Sequence, residues 1–359
     1  MAEYDVLIYG AGPSGSYLGR LLSEKGIKTA IFDARQEIGV PLYSGEGASS
    51  SLILDRFRID ADKTKLSTVE DIDLYFTTPE DNLKPIKMHS SNSKDGIDCT
   101  VDRDKLDKEM ASLAAISGCD LRIRKKIESV VSNRDGFRVR FSGSEASEVN
   151  ARIVVRADGP ESRMINDKCI VAPICSGRKY SSHDYASFIS LGFSGGRYIQ
   201  DLSHGDGFRT RVIEGKLDEA EDKGWITRHR MNALIIYEPF PYSEGLINIG
   251  SRAIGQDPVF LNGLNYAAMT AEMAVDPIAQ GINSNDSLKA IEIYAENFKK
   301  IELKYIKNSE IWKKIRGLDR KRILELQEKM SETDFHSIDI NELFFNRKSS
   351  VESLTTDFR

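Results

Sequence analysis

The chain has 359 residues, enough for two or three domains and for a cofactor site between them. Apolar residues make up 40% and charged residues 29%, the balance of an ordinary globular chain, and a net charge of −5 gives no general pull on nucleic acid. Cys99, Cys119, Cys169 and Cys175 lack zinc-site spacing, no secretory leader is read ahead of them, and no run approaches the ~18 apolar residues of a spanning helix. A cytoplasmic protein that touches a membrane at most peripherally is the expectation. Cys169 and Cys175, six apart, read as two separate free thiols rather than a redox pair.

In chain order, residues 5–9 read as a buried strand, 14–25 as a helix closed by Gly26, and 28–32 as the next strand, which together make one crossover unit. Residues 54–98 break into short alternating segments such as 71–76, which predicts a β excursion. A helix is expected over 105–117, with Leu106, Met110, Leu113 and Ala114 on one face. Segments 127–131 and 137–141 read as a hairpin and 151–157 as a buried strand back in the first domain. Residues 166–244 read as a second, sheet-based domain over the cofactor. Strand 246–250, helix 262–273 and a helical stretch from 286 to about 330 follow, with a polar tail from about 346.

The strongest motif is Gly10-Ala11-Gly12-Pro13-Ser14-Gly15 between a strand and a helix, with Asp33 ending the second strand. Gly10 permits the tight turn, Gly12 lets backbone approach a pyrophosphate, and Gly15 lets the helix pack close to the strand. The diphosphate would sit on the helix N-terminus and Asp33, followed by Ala34 and Arg35, would take the adenosine ribose. That unit alone does not separate FAD from NAD.

Three later segments carry a resemblance. Residues 154–163, with Ala157, Asp158 and Gly159, resemble the strand-loop motif of flavoproteins built like the p-hydroxybenzoate hydroxylase group. Within that group, Ser44-Gly45-Glu46-Gly47 and the segment 101–107 around Arg103 are similar to the archaeal geranylgeranyl reductases, which use FAD to reduce isoprenoid double bonds of ether lipids. Residues 249–267, with Ser251, Pro258, Gly263 and Leu264, look like the family's second FAD motif. The resemblance implies a Rossmann-like α/β FAD-binding domain over 1–60, 99–165 and 245–285. It also implies an inserted, mostly β substrate domain over 61–98 and 166–244, a helical region over 286–345 and a tail over 346–359. By the same resemblance Arg103 contacts the diphosphate region, Asp158 lies near the cofactor, and the helix after Gly263 faces the isoalloxazine, where its N-terminus would stabilise reduced flavin.

The chain departs from that pattern at two places. Ser251 stands where the family has aspartate, with Arg252 next to it, and Tyr43 and Ser44 stand where the family often has a cysteine. Tyr43 is thus the one proton-donor candidate, with the catalytic residue otherwise unassigned. Tyr237, Phe240 and Tyr242 resemble the family's substrate-lining aromatic turn, against an equally weighted reading as core packing. Ten lysines or arginines between Lys299 and Arg322, with Ile291, Tyr294, Phe298 and Ile301 at helical spacing, suit either a lipid-facing helix or a solvated charged face. Five scattered histidines predict no metal site.

The function so implied is FAD-dependent hydrogenation of isoprenoid double bonds in archaeal-type phospholipid biosynthesis. NAD(P)H or a ferredoxin would be the reductant and an isoprenoid lipid or other small apolar molecule the substrate. Two other readings stay open: a flavin monooxygenase or dehydrogenase on a smaller substrate, and a non-catalytic binding protein with a degenerate flavin site.

Overall fold

The computed structural model describes residues 3–40, 46–64, 66–77, 81–89, 97–142, 147–159, 169–180, 186–193, 196–204, 207–215, 224–236, 238–257 and 260–332. A first sheet orders its strands β17 (Tyr242–Ser243), β18 (Leu246–Asn248), β11 (Ser147–Arg156), β1 (Tyr4–Tyr9), β2 (Thr29–Phe32) and β8 (Asp120–Arg122). The hairpin β9 (Lys126–Asn133) and β10 (Gly136–Ser142) extends it through β11. Val6, Leu7, Ile8, Ile31 and Val155 are fully buried, because β1, β2 and β11 run parallel with helices or strands on both faces.

Helix α1 (Pro13–Glu24) packs against this sheet beside α3 (Arg103–Ile116) and α4 (Leu264–Ser284). On α3, Leu106, Met110 and Ala114 are buried as their spacing predicts. Helix α4 runs well past the expected 262–273. It continues through Pro277, which removes a backbone donor, because Ala271, Ala274, Val275 and Ile278 all lie in the core and hold the last turns.

A second sheet has seven strands in the order β16 (Trp225–Ile236), β12 (Cys169–Tyr180), β15 (Phe208–Glu214), β14 (Ile199–Ser203), β13 (Ser187–Ser190), β5 (Asp71–Tyr75) and β6 (Ile86–His89). Two remote parts of the chain thus share one sheet, with β5 lying parallel to β13. Cys169 and Cys175 lie on the same strand, β12. A small third sheet, β3 (Gly47–Ala48), β7 (Cys99–Thr100) and β4 (Ser67–Thr68), lies near the short helix α2 (Ala61–Thr64).

Helix α5 (Ser287–Arg316) is a strut between the two bodies. Tyr294, Phe298, Ile301 and Tyr305 belong to the core under the first sheet, whereas Trp312 and Ile315 belong to the core of the second. Helix α6 (Arg320–Ser331) adds Ile323, Leu326 and Met330 to that second core. The apolar stripe read as a possible lipid-facing surface is therefore interior. No helix among the described residues is long and apolar enough to cross a membrane.

Candidate functional site

The first part of the site forms where β1 gives way to α1. Gly10 has φ +110°, and a Cβ there would lie 2.4 Å from the Ala157 carbonyl oxygen, so only glycine lets the turn sit against the end of β11. Gly15 meets the Gly10 carbonyl just as closely, at 1.9 Å for the added carbon. At Gly12 the reverse holds: a Cβ would have no atom within 4 Å, so the backbone borders open space. Gly12 is the N-cap of α1, with no side chain capping the first turn and Pro13 at the start. The leading N–H groups are left to face that space, which is the arrangement a diphosphate needs.

Asp33 is 4% exposed and accepts hydrogen bonds from the Ala11 N–H at 2.7 Å, from the Arg35 N–H at 2.8 Å, and from the Arg35 guanidinium at 3.0 Å. Burial works against its ionisation, but Arg35's hydrogen bonds and charge outweigh burial and hold the carboxyl below the usual range. Ala34 between them is exposed.

The remaining motifs converge on the same end of the sheet. Ala157 N–H donates to the Tyr9 carbonyl at 2.8 Å, which places Asp158 and Gly159 beside the glycine turn. Gly250 opens a short 3₁₀ turn over Gly250–Arg252, and a Cβ there would lie 2.5 Å from Ser14 Oγ. The second motif, 240 residues along the chain, is thus pressed onto the first turn of α1. Arg252 is buried. Burial and the charge of Arg156 pull its guanidinium below the ordinary value, against the opposing attraction of Asp158. Asp158 Oδ1 is buried with no hydrogen-bond partner among the described residues, while Arg156 stands 3.7 Å from Oδ2 and Arg252 3.9 Å from Oδ1. A buried acceptor oxygen with no hydrogen-bond donor among the described residues suits a ligand hydroxyl, and the uncapped helix start nearby suits a phosphate.

A narrow cleft opens between the first body and the second sheet. Gly47, Arg103, Gly263 and Leu264 line it from the first body, and Ile174, Tyr198, Gln200 and Val212 from the second sheet. Gly263 is the N-cap of the 21-residue α4, and Asn262 Oδ1 accepts the Leu264 N–H at 3.1 Å. Arg103 lies 5% exposed, its guanidinium 3.0 Å from Asp107 Oδ1; it is no surface arginine. Tyr198 donates to the Phe260 carbonyl at 2.9 Å, and burial pushes its hydroxyl pKa up.

Three sequence expectations meet a different geometry. The Glu46 carboxylate is engaged by the Arg178 guanidinium at 2.8 and 3.0 Å and by the Thr210 hydroxyl at 2.6 Å, so its charge is satisfied by the second sheet. Phe240 and Tyr242 sit at the β17 edge of the first sheet, Tyr242 half exposed, and neither lines the cleft; its aromatic residues are Tyr198 and Phe260. His204, dismissed on spacing, lies with Glu46 and Asp102 so that one ligand atom of each falls within 4.8 Å of the others. Arg178 contacts both carboxylates, so a guanidinium already supplies the cation of that group. Tyr43, Gly45, Pro258 and Tyr237 lie outside the described residues.

Residues 3–171 match the FAD binding domain family. With the uncapped α1, the buried Asp33 carboxylate at its side and the convergent glycine motifs, this makes the chain an FAD-dependent oxidoreductase of Rossmann-type fold. Along almost its whole length it is a relative of the archaeal digeranylgeranylglycerophospholipid reductases. It is 26% identical to the one from Picrophilus torridus, covering 95% of this chain and 94% of that protein. It is 27% identical to the one from Thermoplasma acidophilum, covering 86% of each. Among solved structures, a geranylgeranyl bacteriochlorophyll reductase-like protein from Thermoplasma acidophilum shares the fold with a TM-score of 0.80, 22% identity and 99% coverage of both chains.

Proposed function

We propose that this chain uses FAD to hydrogenate carbon–carbon double bonds of an isoprenoid lipid, with geranylgeranyl chains of archaeal-type membrane lipids as the substrate class. The observation that carries the reading is the cleft. One wall is the N-terminal turn of α4 with Arg103, and the facing wall is Ile174 and Val212 of the second sheet. Apolar side chains opposite a polar helix start are what an isoprenoid chain beside a flavin would require. Relatives along the full length that carry the reductase name support the same substrate class.

Bound FAD would supply the hydride chemistry. The protein's own residues would do the rest. The leading amides of α1 hold the diphosphate, and Asp33 accepts from the adenosine ribose once Arg35 shares its oxygens. Asp158 Oδ1 accepts from a cofactor hydroxyl, and Arg103 and the start of α4 place positive potential along the flavin edge. Ile174, Val212 and Phe260 keep water from the reacting carbon atoms. NAD(P)H or a ferredoxin would reduce the cofactor. Peripheral contact with an anionic bilayer would run through the exposed lysines of α5, Lys299, Lys300 and Lys304, since its apolar side is internal.

The direct test is an absorbance spectrum of the purified protein followed by incubation, with dithionite and without oxygen, with digeranylgeranylglycerophospholipid. The expected product carries two added hydrogens per reduced bond by mass spectrometry. A flavin-loaded protein that leaves the lipid unchanged but hydroxylates a small aromatic in air would overturn the substrate class. A protein that remains colourless with added FAD would sink both.

A further inference from the structure

The second sheet carries two kinds of residue on one face. Side chains alternate along a strand and directly paired residues point the same way, so register assigns them. Ser176, Val212 and Gln200 form one row across β12, β15 and β14; Arg178, Thr210 and Leu202 form the next, about 7 Å along. The first row contributes Val212 and Gln200 to the cleft wall. The second carries Arg178 and Thr210, and both bond Glu46 of the first body.

The receiving side is equally specific. Glu46 immediately precedes Gly47, and Asp102 immediately precedes Arg103; Gly47 and Arg103 both line the cleft. Backbone pairing of Gly47 with Thr100, and of Val101 N–H with the Glu46 carbonyl at 2.9 Å, brings the two carboxylates together at the edge of the small sheet. Asp102 is the N-cap of α3, the position where aspartate ordinarily accepts from the first turn, yet it makes no capping bond. Its carboxylate is taken by Arg178 and by Lys105, the latter at 2.6 Å. His204, one residue past β14, places Nε2 3.6 Å from Glu46 and 3.5 Å from Asp102, while Ser67 Oγ donates to its carbonyl at 2.6 Å.

We propose that Arg178, bridging Glu46 and Asp102, is a positioning residue that registers the second sheet against the flavin side of the cleft and so sets how Gly47 and Arg103 face Val212 and Gln200. The inference rests on the reading that the flavin ring occupies this cleft. Asp102 forgoes its cap, and Glu46, Asp102 and Arg178 are gathered from remote parts of the chain, at a seam where the cleft walls meet. An ion pair serving stability alone has no need of that location.

The test uses the full chain stripped of flavin and titrated with FAD. Its readouts are visible circular dichroism of the bound flavin and iodide quenching of flavin fluorescence. The double variant Glu46→Gln/Arg178→Gln removes both charges together, so no lone buried ion remains. It should still bind FAD but show an altered flavin dichroism band and severalfold stronger quenching, and Arg178→Lys should recover part of the wild-type signal. The control is Asp201→Asn/Arg209→Met, a more deeply buried pair on the opposite face of β14 and β15, which should lower the melting temperature without moving either flavin signal. Unchanged flavin signals in the first variant, or equal changes in the control, would overturn the bridge. A wild-type chain that binds no FAD would instead remove the flavin reading beneath it.

Discussion

The nucleotide end of the first sheet and the cleft beneath the second sheet are built by opposite means. At the nucleotide end most contacts are between backbones, and side chains matter chiefly by being absent, as at Gly10 and Gly15. In the cleft the walls are side chains contributed by strands far apart in sequence, held by ion pairs that span more than a hundred residues. At Gly10 and Gly15 the first region tolerates no added atom; the second can exchange atoms and change what it binds. Enzymes that share a cofactor and differ in substrate would be expected to diverge in this second way.

That contrast can be broken, beginning with the largest effect. Gly15→Val sets a carbon against a carbonyl that cannot retreat, and should cost about 4 kcal/mol or more in urea unfolding. Phe298→Ala empties the fully buried waist of the α5 strut and should cost about 3–5 kcal/mol, loosening both bodies rather than one. Gly12→Val sharpens the comparison because its Cβ has open space. The protein should fold with a melting temperature near wild type yet lose FAD affinity by about a hundredfold, the ~2.7 kcal/mol expected when phosphate loses its amide cradle. Retained flavin in that variant would refute the placement of the diphosphate.

Smaller effects probe charge and the cleft wall. The Asp33 carboxyl is held below its unfolded value, so its contribution to stability is complete above about pH 4 and fades as pH falls through the lowered folded value. Asp33→Asn should therefore flatten the acid limb of a melting-temperature profile below about pH 4, leaving the neutral region nearly unchanged in slope. Tyr198→Phe removes the bond to the Phe260 carbonyl and should cost about 1 kcal/mol while FAD affinity stays put.

The nucleotide end could be read from the chain because its constraints are local and repeat wherever a strand turns into a phosphate-binding helix. The hairpin of β9 and β10 and the buried face of α3 were legible for a similar reason, since turn residues and helical spacing act over a few positions. Arg103 entered as a cofactor candidate through the family resemblance of its segment, and nothing along the chain signalled its burial beside Asp107. The cleft wall escaped: Ile174, Val212 and Gln200 sit in segments whose pattern says only that they are strands. The aromatic cluster near Phe240 drew attention by composition, yet it lies at a sheet edge.

His204 shows the limit most plainly, because no spacing along the chain relates it to Glu46 and Asp102; only the docking of two sheets does. The linear order of residues settled that β1 would give way to α1 through a glycine turn and an uncapped helix start, since backbone geometry over six positions decides that. Which side chains face the reacting edge, and that Glu46 turns to Arg178, were decided by tertiary packing, because those energies exist only once distant strands share a register.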